Sequence, residues 1–211
     1  LAIYLNEEGI LGKKVKLTVV PMVGWERDMD FEETGMPWVL PSPHIPTPQS
    51  ALLYPATGIM GELEYVSIGV GYTLPFCLAG PPWIDGETLA GRLNALGLDG
   101  VRFRPISFKP YYAMFKGVTA SGVEIYAEPY AKTPLSLLQF YIMQELASLY
   151  PTHKAFAGAA AARLRMFDQV CGSEKVRTLF TKGYKVADMQ EFWMGQTEEF
   201  KNRSSKYHIY R

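Results

Sequence analysis

Apolar residues recur at helical spacing through most of the second half of the chain. The segment from Leu135 to Tyr150 carries an apolar stripe typical of a core-facing helix, and Pro151 ends it. Three segments of the same kind follow, one of which begins at the N-cap residue Ser173 and stops at Gly183. The pattern predicts a helical second half that closes with one amphipathic helix over residues 186–207.

Strand-like patterns occupy the middle of the chain. Residues 101–108 begin with alternating apolar and polar positions, and residues 118–127 form a second strand-like run, so we expect an antiparallel, half-buried pair. Residues 76–80 predict a short strand, and Asp85 precedes a segment with helical periodicity that stops at Gly97. The predicted class is α+β, with a mixed sheet in the middle and a helical second half.

The first twenty residues suggest a different architecture. Residues 1–8 predict a helix that Gly9 ends, and residues 15–20 predict a short, largely buried strand that stops at Pro21 and could be parallel. A helix followed by a buried strand is a fragment of an α/β fold. Either the neighbouring strands are missing or this strand joins the sheet of the following domain. Because the chain opens inside a helix, without Met or a signal-peptide pattern, we expect a missing part upstream.

Proline and glycine concentrate in two loops. Residues 35–58 contain six prolines, which predict a stiff loop interrupted by one short helix beginning at Thr47-Pro48. Residues 61–86 are rich in glycine and in small side chains. Loops of this length inside a domain are more often functional than idle, so we expect them to form cleft walls. A rigid surface wrap is the alternative for the proline-rich loop.

Composition narrows the function classes. The 211 residues include 21 basic and 21 acidic side chains and are 48% apolar, which argues against a disordered chain and against binding nucleic acid by bulk charge. No apolar run approaches the roughly 20 residues of a membrane span. Two cysteines and three histidines do not predict a disulfide framework or a zinc site, and no motif implies a metal or an organic cofactor.

Several side chains are candidates for binding a sugar. Carboxylates perform glycoside chemistry, and Glu62 and Asp85 lie in or beside the glycine-rich loop, although Asp85 precedes a helix and is equally typical of a cap. Aromatic rings such as Trp25 suit stacking against the apolar face of a sugar. His44 lies in the proline-rich loop, where a solvated or loop-fixing role is the alternative.

Two arginines form a second kind of candidate. Arg102 and Arg104 share one face of a predicted strand, where they could bind a carboxylate in bidentate fashion. A salt bridge across the sheet is the alternative.

The order of several segments resembles the NamZ-type exo-β-N-acetylmuramidase family over essentially the whole chain. The proline-rich loop and the PWIDG segment are the most specific parts of the resemblance, which rests on GWERDMDFEETGMPWVLPSPHIPTPQSALLYPAT, SIGVGYTLPF, GPPWIDGETLAGRLN, GVRFRPISFKP and FDQVCG. The resemblance implies a Rossmann-like N-terminal domain joined to a C-terminal α+β domain, with a cleft between them. It also implies release of N-acetylmuramic acid from peptidoglycan fragments, with a peptidoglycan-derived glycan as partner.

The resemblance assigns the parts of this chain. Residues 1–23 would be the last helix and strand of the truncated N-terminal domain, and residues 24–211 would be the C-terminal α+β domain. The catalytic glutamate of the family would lie in the missing domain, so no catalytic residue is predicted here. Residues 22–28 would border the cleft, with Trp25 and Arg27 near it.

Residues 67–73 match the family pattern S-E-G-R-G-T-T only in part. Ser67, both glycines and Thr73 match, and the resemblance makes Ser67 and Thr73 candidates for binding substrate, whereas Ile68 and Val70 replace the glutamate and the arginine. Glu62 falls on a glutamate common in the family. These departures indicate a divergent subgroup that could act on another glycan.

Two main hypotheses for the function follow. The first is the C-terminal, substrate-shaping part of a glycoside hydrolase that releases N-acetylmuramic acid or a related sugar, and the second is a non-catalytic glycan-binding or cell-wall-associated domain. A subunit paired with a separately encoded N-terminal half is a third. A cell-wall substrate favours a periplasmic or secreted location, and the two cysteines leave a cytoplasmic one open.

Overall fold

The computed structural model describes residues 1–128 and 131–210. Helices and strands are mixed as far as Ala127, and the described elements after it are all helices. The helices are α1 (Ala2–Glu7), α2 (Pro48–Gly61), α3 (Gly86–Asn94), α4 (Leu135–Leu149), α5 (Ala161–Cys171), α6 (Glu174–Gly183), α7 (Ala187–Met194) and α8 (Thr197–Ser205), with a 3₁₀ turn at Glu32–Thr34. The strands are β1 (Leu78–Ala79), β2 (Val101–Phe108) and β3 (Ala120–Ala127). The predicted α+β class is confirmed.

The sheet is small and antiparallel. Its order is β1-β3-β2, and the register pairs Val101 with Ala127 at one end and Phe108 with Ala120 at the other. The predicted antiparallel pair is therefore correct, but the prediction of a mixed sheet is wrong for the described residues. The strand expected to run parallel, residues 15–20, does not join this sheet.

Residues 14–22 form neither helix nor strand. Val20 is 86% exposed, although the sequence predicted a largely buried strand here. A strand needs a neighbour for its backbone groups, and none of the described strands pairs with this segment. At Val15 a side chain takes the place of a neighbouring strand, because the amide of Asn6 accepts from the Val15 N–H and donates to the Val15 carbonyl oxygen.

Helix α2 begins where the sequence predicted and continues further. Thr47 caps it by accepting a hydrogen bond from the Ser50 N–H, and Pro48 occupies the first turn. The helix runs through Pro55 to Gly61, although a proline inside a helix removes a backbone hydrogen bond. Buried Gln139 of α4 supports the helix just after this point, because its side chain donates to the Pro55 carbonyl and accepts from the Met60 N–H.

The helical half packs around a cluster of aromatic rings. Phe140, Phe167 and Phe180 are fully buried, and Phe140 meets the other two edge to face. The single closing helix predicted from the sequence is divided in two, α7 and α8, with Gly195 between them. The helical periodicity of the sequence continues across this break, which explains why one helix was predicted over residues 186–207.

The chain divides into two compact units. The larger unit comprises residues 38–191, and the smaller unit comprises residues 1–37 and 192–211. In the smaller unit, Tyr4 packs edge to face against Phe200 and Tyr207. The expected boundary between residues 23 and 24 stays a prediction. No helix in residues 1–128 and 131–210 is long and apolar enough to cross a bilayer.

Candidate functional site

A cleft of about 720 Å³ opens in the larger unit. One wall comes from the second half of α2 and the segment that follows it, a second from residues 113–115, and a third from the start of α5. The cleft thus gathers the glycine-rich loop and distant parts of the chain. Its polar side chains are Tyr54, Glu62, Glu64, Ser67 and Arg163.

The cleft walls contain an unusual concentration of strained backbone. Non-glycine residues seldom adopt positive φ, because the Cβ atom collides with the backbone. Four of the five such residues among those described line this one cleft: Glu64, Phe76, Ala113 and Phe115, with φ between 50° and 66°. Strain of this kind persists only where surrounding contacts enforce it, and it clusters at functional sites.

The acidic groups of the cleft share one cation. Arg163 forms an ion pair with Glu64, and its Nη1 lies 3.8 Å from Oε2 of Glu62. The side chains of all three residues are 34–54% exposed, so the cluster faces solvent within the cleft. The polar end of the cleft therefore combines two carboxylates with one guanidinium that is already engaged.

Much of the remaining cleft lining is apolar. Ile68 and Val70 line it together with Phe76 and Phe115. Ile68 packs tightly over Gly61, where an added Cβ would lie 2.4 Å from Cδ1 of the isoleucine. The two residues that depart from the family pattern thus supply apolar surface at the positions where that pattern has a glutamate and an arginine.

Two of the predicted binding residues lie in this cleft, Glu62 and Ser67. Ser67 is almost fully buried, and its hydroxyl accepts a hydrogen bond from the Gly69 N–H. Backbone hydrogen bonds in both directions tie it to Gly80. This anchoring fixes the position of the loop that carries Ile68.

His44 lies near one cleft wall, and Thr73 is exposed outside the cleft lining. The Nδ1 atom of His44 lies 3.1 Å from the hydroxyl oxygen of Tyr112. Tyr112 in turn sits against Gly71, where an added Cβ would be 2.0 Å from its carbonyl oxygen. His44 thus supports the segment that continues into the wall at residues 113–115.

Asp85 caps α3. Its carboxylate accepts hydrogen bonds from the N–H groups of Glu87 and Thr88, each at 3.2 Å. The Thr88 hydroxyl, followed by these backbone donors, lowers the pKa of Asp85 below its ordinary value. Asp85 therefore has the contacts of a helix cap, which was the alternative to sugar binding, and it is not part of the cleft lining.

Arg102 and Arg104 share the exposed face of β2, as the alternation predicted. Arg104 pairs with Glu124, which lies directly opposite on β3, and this contact raises the pKa of the guanidinium. Arg102 donates to its neighbour, the carbonyl oxygen of Val101, at 2.8 Å. The salt-bridge alternative therefore describes Arg104, and neither arginine lines the cleft.

Trp25 belongs to the smaller unit. Its ring packs edge to face against Tyr210 at 4.7 Å between centroids, and the hydroxyl of that tyrosine accepts from the Met22 N–H. These contacts order residues 22–25 within their own unit.

Sequence reasoning missed Arg163, the only cation among the described residues of the cleft lining. The arginine is 99 residues from Glu64, and its own helix offers no motif that marks it. The acidic residues at 62 and 64 were the only sequence signal, because two neighbouring carboxylates in a cleft favour a cationic partner. No group of three or more His, Cys, Asp or Glu residues suited to a metal occurs in the part of the chain that the structure describes.

Two family models match the chain. The model described as exo-beta-N-acetylmuramidase NamZ, C-terminal, matches residues 52–210, and the corresponding N-terminal model matches residues 1–49. The first of these includes every residue of the cleft lining.

One curated relative and one solved structure agree with these matches. The peptidoglycan beta-N-acetylmuramidase NamZ of Bacillus subtilis is 36% identical over 194 residues, which is 92% of this chain and 45% of the relative. A crystal structure of a DUF1343 family protein from Bacteroides fragilis is 44% identical, with a TM-score of 0.97, over all of this chain and 55% of that one. The chain thus spans about half the length of these two proteins.

Proposed function

The chain belongs to the NamZ exo-β-N-acetylmuramidase family, and from this membership we propose that it is the C-terminal, substrate-shaping part of a peptidoglycan glycoside hydrolase. The observation that carries the proposal is the cleft of about 720 Å³ within the part matched by the C-terminal model. Its walls contain residues held at positive φ, and its lining is partly polar and partly apolar. Such a lining suits a sugar ring, which offers hydroxyl groups at its edge and C–H groups on its face. The non-catalytic alternative rests on the replacement of the family glutamate and arginine by Ile68 and Val70, and the comparisons do not favour it.

We expect the glycan to stack on Tyr54. This ring lines the cleft, is 49% exposed and is held edge to face against Phe76 at 4.5 Å. Replacing Tyr54 by alanine should weaken the binding of a peptidoglycan disaccharide about tenfold, measured by calorimetric titration. Tyr111→Ala is the matched control, because that ring is 75% exposed and outside the cleft lining. Equal affinity of the two variants would contradict the assignment.

The N-terminal residues fit a second part of the proposal. In it, residues 1–23 complete a Rossmann-like domain whose remainder lies in the portion of the longer relatives that this chain does not span. The match of the N-terminal model supports an N-terminal part in this chain, but it covers residues 1–49 and so extends beyond residue 23. The exposed apolar segment that ends at Val20 also supports such a part, because such a segment suits a strand without its neighbours.

Division of the work between two domains predicts that this chain does not turn over substrate. Glycoside hydrolysis needs an acid and a base or nucleophile on opposite sides of the scissile bond, and in this proposal the catalytic carboxylate is supplied by the other domain. We expect no release of chromophore from a chromogenic β-N-acetylmuraminide. The full-length Bacillus subtilis relative serves as the positive control. Turnover by the purified chain would reject the division, and binding of the peptidoglycan disaccharide without turnover would support it.

A peptidoglycan substrate also bears on location. We place the protein in the periplasm or outside the cell, where that polymer lies. Cys77 and Cys171 are free thiols, and Cys77 is buried, so its side chain is compatible with an oxidising compartment. Immunodetection in the cytoplasmic fraction alone would contradict this location.

A further inference from the structure

The charges in the cleft restrict what it can bind. Of the side chains that line it, Glu62 and Glu64 are acidic and Arg163 is basic, so the lining carries a formal charge of −1 at neutral pH. Tyr54 and Ser67 add neutral hydroxyl groups. An anionic ligand would enter a site whose net charge has the same sign as its own.

Arg163, the one basic side chain among the described residues of the lining, is already paired with carboxylates. Arg163 is in contact with Glu64 and has Glu62 3.8 Å away on its other terminal nitrogen. A ligand carboxylate would have to share the guanidinium with these two groups. Three carboxylates would then crowd around one cation, which raises the free energy of the complex.

The remaining walls cannot compensate. Ile68, Val70, Phe76 and Phe115 have no polar side-chain atom, and desolvating a carboxylate against them is unfavourable. The same surface favours the methyl group of an acetamide and the C–H face of a sugar.

From these three features we infer that the cleft selects the uncharged N-acetylhexosamine ring of the glycan and rejects a ring that carries a lactyl carboxylate. Strands of peptidoglycan alternate N-acetylglucosamine with N-acetylmuramic acid, which is its lactyl ether, so a substrate contains a ring of each kind. The inference rests on the proposed function and assigns this cleft to the first kind. It names Ile68, Val70 and the engagement of Arg163 as the determinants of specificity.

Three methyl β-glycosides separate charge from size. They are those of N-acetylglucosamine, of N-acetylmuramic acid, and of the lactyl methyl ester of N-acetylmuramic acid, which has the bulk of the second without its charge. Calorimetric titration at low salt should show the acid binding about tenfold more weakly than the ester, because like charges repel across the cleft. N-acetylglucosamine should bind at least as well as the ester.

Altering the charge of the cleft should reverse the preference for the ester over the acid. In the double variant Glu62→Gln/Glu64→Gln, Arg163 is the only charged side chain left among the described residues of the lining, so the acid should bind about tenfold more tightly than the ester. The double variant Glu87→Gln/Glu174→Gln is the control, because it removes the same charge from exposed positions outside the cleft and should keep the original preference.

Each outcome has one meaning. Equal or tighter binding of the acid by the unaltered chain would overturn the inference and leave the proposed function standing. Failure of all three glycosides and of the peptidoglycan disaccharide to bind would overturn the proposed function itself. The comparison of acid with ester needs only the unaltered chain, so it decides the inference even if the cleft variant does not fold.

Discussion

Replacing Gln139 by methionine is expected to lower the free energy of unfolding by about 3 kcal/mol. The side chain is fully buried, and it accepts from the Met60 N–H at 2.9 Å and donates to the carbonyl oxygens of Pro55 and Ser136. Methionine fills a similar volume but leaves these backbone groups without their partner. Because Pro55 already weakens α2, we expect the loss to be felt along the helix that carries one cleft wall.

Urea denaturation followed by circular dichroism measures this effect. Gln190→Met is the matched control, since Gln190 is exposed on α7, and its effect should stay within about 0.5 kcal/mol. A loss below about 1 kcal/mol for the Gln139 variant would show that water or backbone rearrangement satisfies the buried groups.

Replacing Gly71 by alanine is expected to lower the free energy of unfolding by a similar amount, again about 3 kcal/mol. The residue has φ of +92°, which disfavours any side chain, and the new methyl carbon would lie 2.0 Å from the carbonyl oxygen of Tyr112. The Gly71 carbonyl also accepts from the Tyr111 N–H at 2.7 Å. Relief of the collision must therefore separate two loops, one of which continues into the cleft wall at residues 113–115.

The same chain offers a control of opposite sign. Gly91 lies within α3 and is exposed, and a Cβ added to it would have no neighbouring atom within 4 Å, so Gly91→Ala should stabilise by about 0.5–1 kcal/mol. Thermal unfolding of the two variants side by side measures both signs. An unchanged melting temperature for Gly71→Ala would mean that the loops separate at no cost, and the described packing would then not be needed for the fold.

Local chemistry explains which parts of the fold could be predicted. The start of α2 at Thr47-Pro48, the cap of α3 at Asp85 and the pairing of β2 with β3 all depend on neighbouring residues or on simple alternation. The length of α2 could not be predicted. A proline in the sequence argues for a break, and the side chain that binds the backbone of the helix beyond it, Gln139, lies 84 residues further along.

The same distinction applies to the site. Glu62 was predicted from its own segment and Ser67 from the resemblance to the family pattern, whereas Arg163 reaches the cleft from 99 residues beyond its partner Glu64. For residues 15–20 the prediction itself was wrong, because a local pattern indicated a strand that the structure does not form. Their pattern is that of a buried strand, but burial depends on neighbouring strands that the described residues do not supply.

The left-handed residues of the cleft have a consequence for variants selected for heat resistance. Glycine relieves the strain of positive φ, and the effect is simplest at Ala113, where only one methyl group is lost. A selection for thermal stability alone would therefore reward glycine there. The gain in stability would come with a more flexible wall at residue 113. In the unaltered chain folding has already ordered this wall, whereas in the glycine variant each binding sugar would have to order it again.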